Sequence, residues 1–433
     1  MIKKILLLLF FTPLFAQAQH LVTGTFTPAE NFKWGILYQV TPTGTRYTTD
    51  TKIDEKGAFA MSLDSTVAAG VYRFVYGVPP EENNFEFIYS GKEDIALSFS
   101  EEKGLIFISS DENKTWFGYS ELTDTLQKEV DLTYIGQMPD TLRLDSLFKQ
   151  QNSLFHLFKG SSKGKMAASF IDAYQPYIPK KFIDAKTYAE GRRQHFLKVV
   201  RFNNPILQKS GFLLEQSLHF LNDSPALFLE NIDGIATNLS DCDPQFQKVF
   251  LMTLWEKIND AEQVKAANYL ASQYLIPLAR TMGDKPLADQ LQILINTSIG
   301  ATAPNFSWET EDKTRQWFHD MEGSEKYVLV FWSSSCSHCL KELPILHKHI
   351  TAISEEKYKV IAFGLEDDIY DWKNEILRLP QFKHIPGLGK WQNPTGKAYN
   401  VSKTPTYYVL DKDMKIVAKP EELEELVNII SEK

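Results

Sequence analysis

Only three cysteines occur in 433 residues, too few for a disulfide framework to hold a secreted fold together. Basic runs are missing as well. The formal net charge is −9, and no block of Lys and Arg offsets it, which argues against nucleic acid or an anionic membrane as the main partner. There is no second C-x-x-C and no C-x-x-C-H, so a four-thiolate zinc site and c-type haem attachment are excluded. No repeat period stands out. Beyond residue 18 no segment is apolar enough to span a bilayer, and the one apolar run, Ile5 to Phe15, falls well short of the roughly 20 residues a span needs. With Lys3-Lys4 before it and Ala16-Gln17-Ala18 after it, that run reads as a secretory signal over residues 1–18, cleaved to leave Gln19 first. No cysteine near the cleavage site offers a lipid anchor. The expected address is an oxidising compartment, a bacterial periplasm, with the mature protein soluble.

The remaining length suits two or three domains. From 19 to 110 apolar residues alternate: Phe32, Trp34, Ile36, Tyr38 and Val40 fall on one face, as do Tyr72, Phe74, Tyr76 and Val78, then Phe85, Phe87 and Tyr89, then Ile95, Leu97 and Phe99. Alternation broken by turn residues such as Asp54-Glu55-Lys56-Gly57 predicts an antiparallel β-sandwich or barrel. Across 111–298 the period becomes helical, with Phe246, Val249, Phe250 and Leu254 on one stripe and prolines 176, 179, 205, 225 and 244 dividing the region. This predicts an α-helical domain or connector. Residues 299–433 alternate strand and helix, with strands expected at 328–332, 360–364 and 406–410, and helices at 336–349, near 369–379 and at 421–430.

The chemistry is concentrated where the first of these strands ends. Tyr327 to Trp332 is an apolar run, and Ser333-Ser334-Ser335 leads from it into Cys336-Ser337-His338-Cys339. A helix starting at Cys336 aims free N–H groups and the positive end of its dipole at the first sulfur, favouring the thiolate nucleophile. Cys339, one turn later, can attack a mixed disulfide on Cys336. Cys242, flanked by Asp241 and Asp243, reads as an inert buried thiol. His347 and His349 are two apart and face different ways on a helix, so they do not share a metal.

The phrases Ala303-Pro304-Asn305-Phe306, Phe331-Trp332, Cys336-Ser337-His338-Cys339, Leu340-Lys341-Glu342-Leu343-Pro344 and Lys403-Thr404-Pro405-Thr406, in that order, resemble the thioredoxin superfamily, and within it the TlpA/ResA type of secreted thiol-disulfide oxidoreductase. The resemblance covers about 301 onward and implies a thioredoxin-like α/β fold there, preceded by a β-domain of unknown role. It implies Cys336 and Cys339 as the redox disulfide, with no cofactor and no metal. It also implies protein thiol and disulfide substrates and a membrane electron donor. Glu342, three residues after Cys339, matches the family's active-site glutamate and is either a proton shuttle or a solvated helix carboxylate. Thr404-Pro405 matches the cis-proline loop, and Trp332 matches an aromatic beneath the site. His338 is either a stabiliser of the thiolate or an exposed loop residue. It is commoner in strong oxidants of the superfamily than in reductases. Val330 stands where thioredoxin has a buried aspartate, and Ser335 where a tryptophan is usual. A peroxiredoxin site is excluded, because Leu329 and Ser333 occupy its Pro and Thr places. The expected function is a periplasmic thiol-disulfide oxidoreductase acting as a reductase. The rival reading is a cell-envelope binding or scaffold protein with an incidental redox domain.

Overall fold

The computed structural model describes residues 20–135, 140–310 and 312–431. The signal expected at 1–18 therefore lies outside the described residues. The chain divides into two compact units, Met1–Leu254 and Trp255–Lys433.

The first unit opens with eight strands: β1 (His20–Thr27), β2 (Trp34–Thr41), β3 (Gly44–Lys52), β4 (Ala58–Leu63), β5 (Gly70–Val75), β6 (Asn84–Tyr89), β7 (Ile95–Ser100) and β8 (Gly104–Ser109). They form two four-stranded sheets, β4-β1-β7-β8 and β3-β2-β5-β6. Val22, Phe26, Leu37, Phe59, Phe74, Phe87 and Leu97 fill one core. This is the expected sandwich, with one parallel pair, β1 with β7. A parallel neighbour needs a long crossover, and the intervening strands β2 to β6 supply it. The single apolar face expected from Phe32 to Val40 is corrected here. β2 pairs with β5 in unbroken register, with Leu37 opposite the buried Phe74, and since side chains alternate along a strand, Trp34, Ile36 and Tyr38 fall on the other face. Gly35, Leu37 and Val40 are buried, whereas Trp34, Ile36 and Tyr38 are only half-buried. Gly35 is required at its place, because a Cβ there would lie 2.1 Å from the Phe74 ring. Val78, expected inside, is 79% exposed, since β5 has ended at Val75.

Among the described residues seven α-helices follow: α1 (Asp111–Ile135), α2 (Thr141–Ser161), α3 (Ala167–Ala173), α4 (Ala185–Val199), α5 (Phe212–Asn222), α6 (Phe228–Leu239) and α7 (Pro244–Asp260), the last running across the boundary at Leu254. Aspartates cap three of them, among them Asp243, whose carboxylate accepts from the Phe246 amide at 3.2 Å at the start of α7. Asp140 accepts from the Arg143 amide at 2.9 Å and Asp184 from the Thr187 amide at 3.0 Å, satisfying donors that a helix start leaves free. α1 is pinned to the sandwich by Asn113, whose buried amide exchanges hydrogen bonds with the Ile88 backbone at 2.7 and 2.8 Å.

In the second unit α8 (Val264–Leu270) runs through a π turn at Ala271–Leu275 into α9 (Ile276–Thr281), and α10 (Lys285–Asn296) follows. The α/β domain contains β9 (Ser307–Glu309), β10 (Arg315–Trp317), β11 (Lys326–Trp332), α11 (Ser337–Ile350), β12 (Tyr358–Glu366) and α12 (Tyr370–Glu375). After them come β13 (Lys383–Leu388), α13 (Pro394–Ala398), β14 (Thr406–Asp411), β15 (Ile416–Ala418) and α14 (Leu423–Ser431). The sheet order is β13-β12-β11-β14-β15. Strands β11, β12 and β13 are parallel, β14 runs antiparallel to β11, and β15 runs antiparallel to β14. Apolar cores cover both faces, one containing Val330, Trp332, Leu343 and Leu426, the other Phe306, Phe331, Phe363 and Tyr399. That two-sided burial is why β11 reads as an unbroken apolar run.

Candidate active site

Strand β11 ends at Trp332, which is 1% exposed, and its position in the central strand carries the next residues to the C-terminal edge of the parallel strands. There Ser333 to Ser335 turn the chain into α11. The Ser333 carbonyl accepts from the Cys336 amide at 3.1 Å, and the Ser333 and Ser335 hydroxyls are 3.0 Å apart. Cys336 is the N-cap of α11, its Sγ accepting from the Cys339 amide at 3.3 Å. On its other side the Cys336 thiol donates to the Thr404 carbonyl at 3.2 Å. The Thr404–Pro405 peptide is cis, and the loop ahead of β14 lies directly against the first sulfur.

The two thiols sit in opposite environments. Burial pushes the Cys336 thiol up, but hydrogen bonds from the Cys339 and Thr404 side chains and from the Cys339 and His338 amides outweigh it and hold it below its ordinary value. Cys339 is wholly buried, and burial, reinforced by Cys336, pushes its thiol far up. Cys336 remains partly exposed. The pair is therefore built with one accessible, easily ionised sulfur and one enclosed sulfur that keeps its proton.

Glu342, one turn beyond Cys339, is half-buried, and its Oε2 accepts from the Tyr407 hydroxyl at 2.8 Å. His338 is exposed; its backbone amide acts on Cys336. Pro344 lies on the exposed side of α11, which continues to Ile350. Cys242 is 8% exposed, and burial, with Asp241 beside it, pushes its thiol up. Among the described residues no group of three or more His, Cys, Asp and Glu could hold a metal, and no helix is long and apolar enough to cross a membrane.

Two residues at the site escaped sequence reasoning. Glu366 ends β12 and is 4% exposed. Its carboxylate accepts from the Ser334 amide at 2.6 Å, the Ser334 hydroxyl at 3.0 Å and the Ser333 hydroxyl at 3.1 Å, clamping the turn that presents Cys336. The available signal was an acid closing an otherwise apolar strand. Tyr407, the second, sits two residues after Pro405 and reads from sequence as an ordinary strand aromatic.

Residues 299–419 match the AhpC/TSA family. A thiol-disulfide oxidoreductase ResA of Bacillus cereus is 28% identical over 121 residues, covering 28% of this chain and 68% of that protein. ResA of Bacillus anthracis is 29% identical over 119 residues, covering 28% and 67%. Among solved structures, the thioredoxin domain of a thiol-disulfide oxidoreductase from Bacteroides vulgatus is 24% identical, with a TM-score of 0.28 over 31% of this chain and 95% of that one. A thioredoxin-like protein from Bacteroides caccae is 14% identical, with a TM-score of 0.31 over 59% of this chain and 96% of that one. The C-terminal third of the chain is a thioredoxin-like domain of the AhpC/TSA family and an oxidoreductase related to the ResA thiol-disulfide oxidoreductases.

Proposed function

We propose that the protein is a periplasmic reductase of protein disulfides, with Cys336 and Cys339 as its redox pair. The observation that carries this reading is the opposed ionisation of the two sulfurs, with Cys336 held low and partly open to solvent and Cys339 enclosed and held high. The Cys336 thiolate attacks a substrate disulfide, forming a mixed disulfide and releasing one substrate thiolate, which takes up a proton. Cys339 then loses its proton to Glu342 and attacks Cys336 Sγ. The Cys336–Cys339 disulfide forms, the second substrate sulfur leaves as a thiolate, and two electrons have passed from protein to substrate. Thr404 and Pro405 line the approach to Cys336, Trp332 supports the turn from beneath, and a membrane electron donor regenerates the dithiol. The signal at 1–18, a β-domain at 19–110, a helical region at 111–298 and the redox domain at 299–433 complete this reading.

The test uses pre-reduced full-length protein and a disulfide-bonded protein substrate. Reduction is expected with the wild type and abolished in Cys336→Ser, while Cys339→Ser accumulates mixed disulfides on Cys336. The reduction potential is expected below roughly −180 mV, with His338→Ala lowering it by no more than tens of millivolts, since about 30 mV corresponds to one good interaction with a thiolate. A potential near −120 mV would identify an oxidant instead.

A further inference from the structure

A half-exposed glutamate on a helix surface has several rotamers, and only some of them face a neighbour one turn away. What fixes Glu342 is Tyr407. The Tyr407 hydroxyl donates to Glu342 Oε2 at 2.8 Å, its ring is 2% exposed, and it packs in the same core as Cys339 and Leu343. The strand that carries it begins at Thr406, directly after Pro405. A single four-residue stretch therefore provides the Thr404 carbonyl that meets the Cys336 thiol and the phenol that meets Glu342.

We infer that Tyr407 is a positioning residue for the exchange reaction, its phenol holding the Glu342 carboxylate where it takes the Cys339 proton as the mixed disulfide is resolved. The inference rests on the roles of Cys336, Cys339 and Glu342 proposed above. The ionisable groups that face Tyr407 are Glu342 and Cys339 from α11 and Glu422 ahead of α14, and burial leads these in pushing the phenol far up. Tyr407 therefore stays protonated at working pH and remains a donor throughout. It exchanges no proton in the cycle. The proton moves from Cys339 Sγ to Glu342, the Cys339 Sγ–Cys336 Sγ bond forms, and the bond from Cys336 Sγ to the substrate sulfur breaks.

The experiment is stopped-flow single turnover of reduced full-length protein with a small aromatic disulfide, separating attack by Cys336 from resolution by Cys339 across pH. Tyr407→Phe keeps the ring and removes the hydroxyl. Attack should proceed at the wild-type rate, and resolution should slow by about tenfold from the loosened geometry. Because Tyr407 acts through Glu342, Tyr407→Phe combined with Glu342→Gln should resolve no more slowly than Glu342→Gln alone. Replacement of Tyr407 by 3-fluorotyrosine, which keeps ring and donor, should preserve wild-type resolution even if the phenylalanine variant folds poorly. Unchanged resolution in Tyr407→Phe beside slowed resolution in Glu342→Gln would overturn this inference alone. Unchanged resolution in Glu342→Gln would overturn the shuttle role and this inference with it.

Discussion

Cys336 and Cys339 are one helical turn apart, and the helix start decides their difference. At the N-cap the first sulfur meets the free amides of α11, whereas the second points into the core beside Leu343 and Tyr407. Glu366 secures that arrangement from a neighbouring strand. A carboxylate accepting three hydrogen bonds from the Ser333–Ser334 turn leaves an amide and two hydroxyls without that acceptor when it is removed. Glu366→Ala is expected to cost about 1–3 kcal/mol, visible as a lowered urea midpoint. It is also expected to slow reaction at Cys336 by loosening the turn that holds it. Full stability with full Cys336 reactivity in this variant would remove Glu366 from the site.

At the scale of elements, the active edge depends on how tightly β12 fits its helical cover. Gly364 lies beside Trp332 in the strand register, and a Cβ at Gly364 would fall 2.4 Å from Trp372 Nε1. The Trp372 ring, 5% exposed, sits where any larger strand residue would push it away. Gly364→Ala is therefore expected to destabilise the second unit by about 1–3 kcal/mol through overpacking, read by chemical unfolding followed with tryptophan fluorescence. A change within experimental error would mean that α12 yields freely. β13 shows why some elements do not announce themselves. Its sequence Lys383-His384-Ile385-Pro386-Gly387-Leu388 carries Pro and Gly, which weaken any strand pattern, and it is tolerated because β13 is an edge strand.

Across the whole molecule, what was legible in the sequence was what is local. The strand–turn–C-x-x-C–helix order, the helical stripe of Phe246, Phe250 and Leu254, and the alternating β-segments depend on near neighbours. What was not legible depends on register between distant segments. Pairing with β5 sets Leu37 rather than Ile36 and Tyr38 opposite Phe74, β1 pairs in parallel with β7, and Glu366 and Tyr407 reach the site only because β12 and β14 flank β11. Half-buried histidines give the chain a pH signature. His195 in the first unit and His384 in the second are both lowered from their ordinary value, chiefly by burial. The unfolded chain then binds protons more readily than the folded one. The stability these groups contribute is complete above about pH 6.5 and is lost as pH falls toward the folded value. His384 donates through Nε2 to the Leu379 carbonyl at 2.8 Å, and its Nδ1 is buried without a partner among the described residues. His384→Gln is therefore expected to shrink the fall in Tm between about pH 7.5 and about pH 5.5. An undiminished fall would assign the acid sensitivity elsewhere.

The central claim is that the two sulfurs of the proposed redox pair have unequal proton affinities, with Cys336 the nucleophile. Its most direct test is the pH dependence of alkylation of each cysteine in the fully reduced chain, quantified by mass spectrometry. Cys336 is expected to be labelled first, with a half-point below that of an ordinary thiol near about 8.5, while Cys339 resists labelling throughout that range. Faster labelling of Cys339, or a Cys336 half-point at or above the ordinary value, would contradict the account.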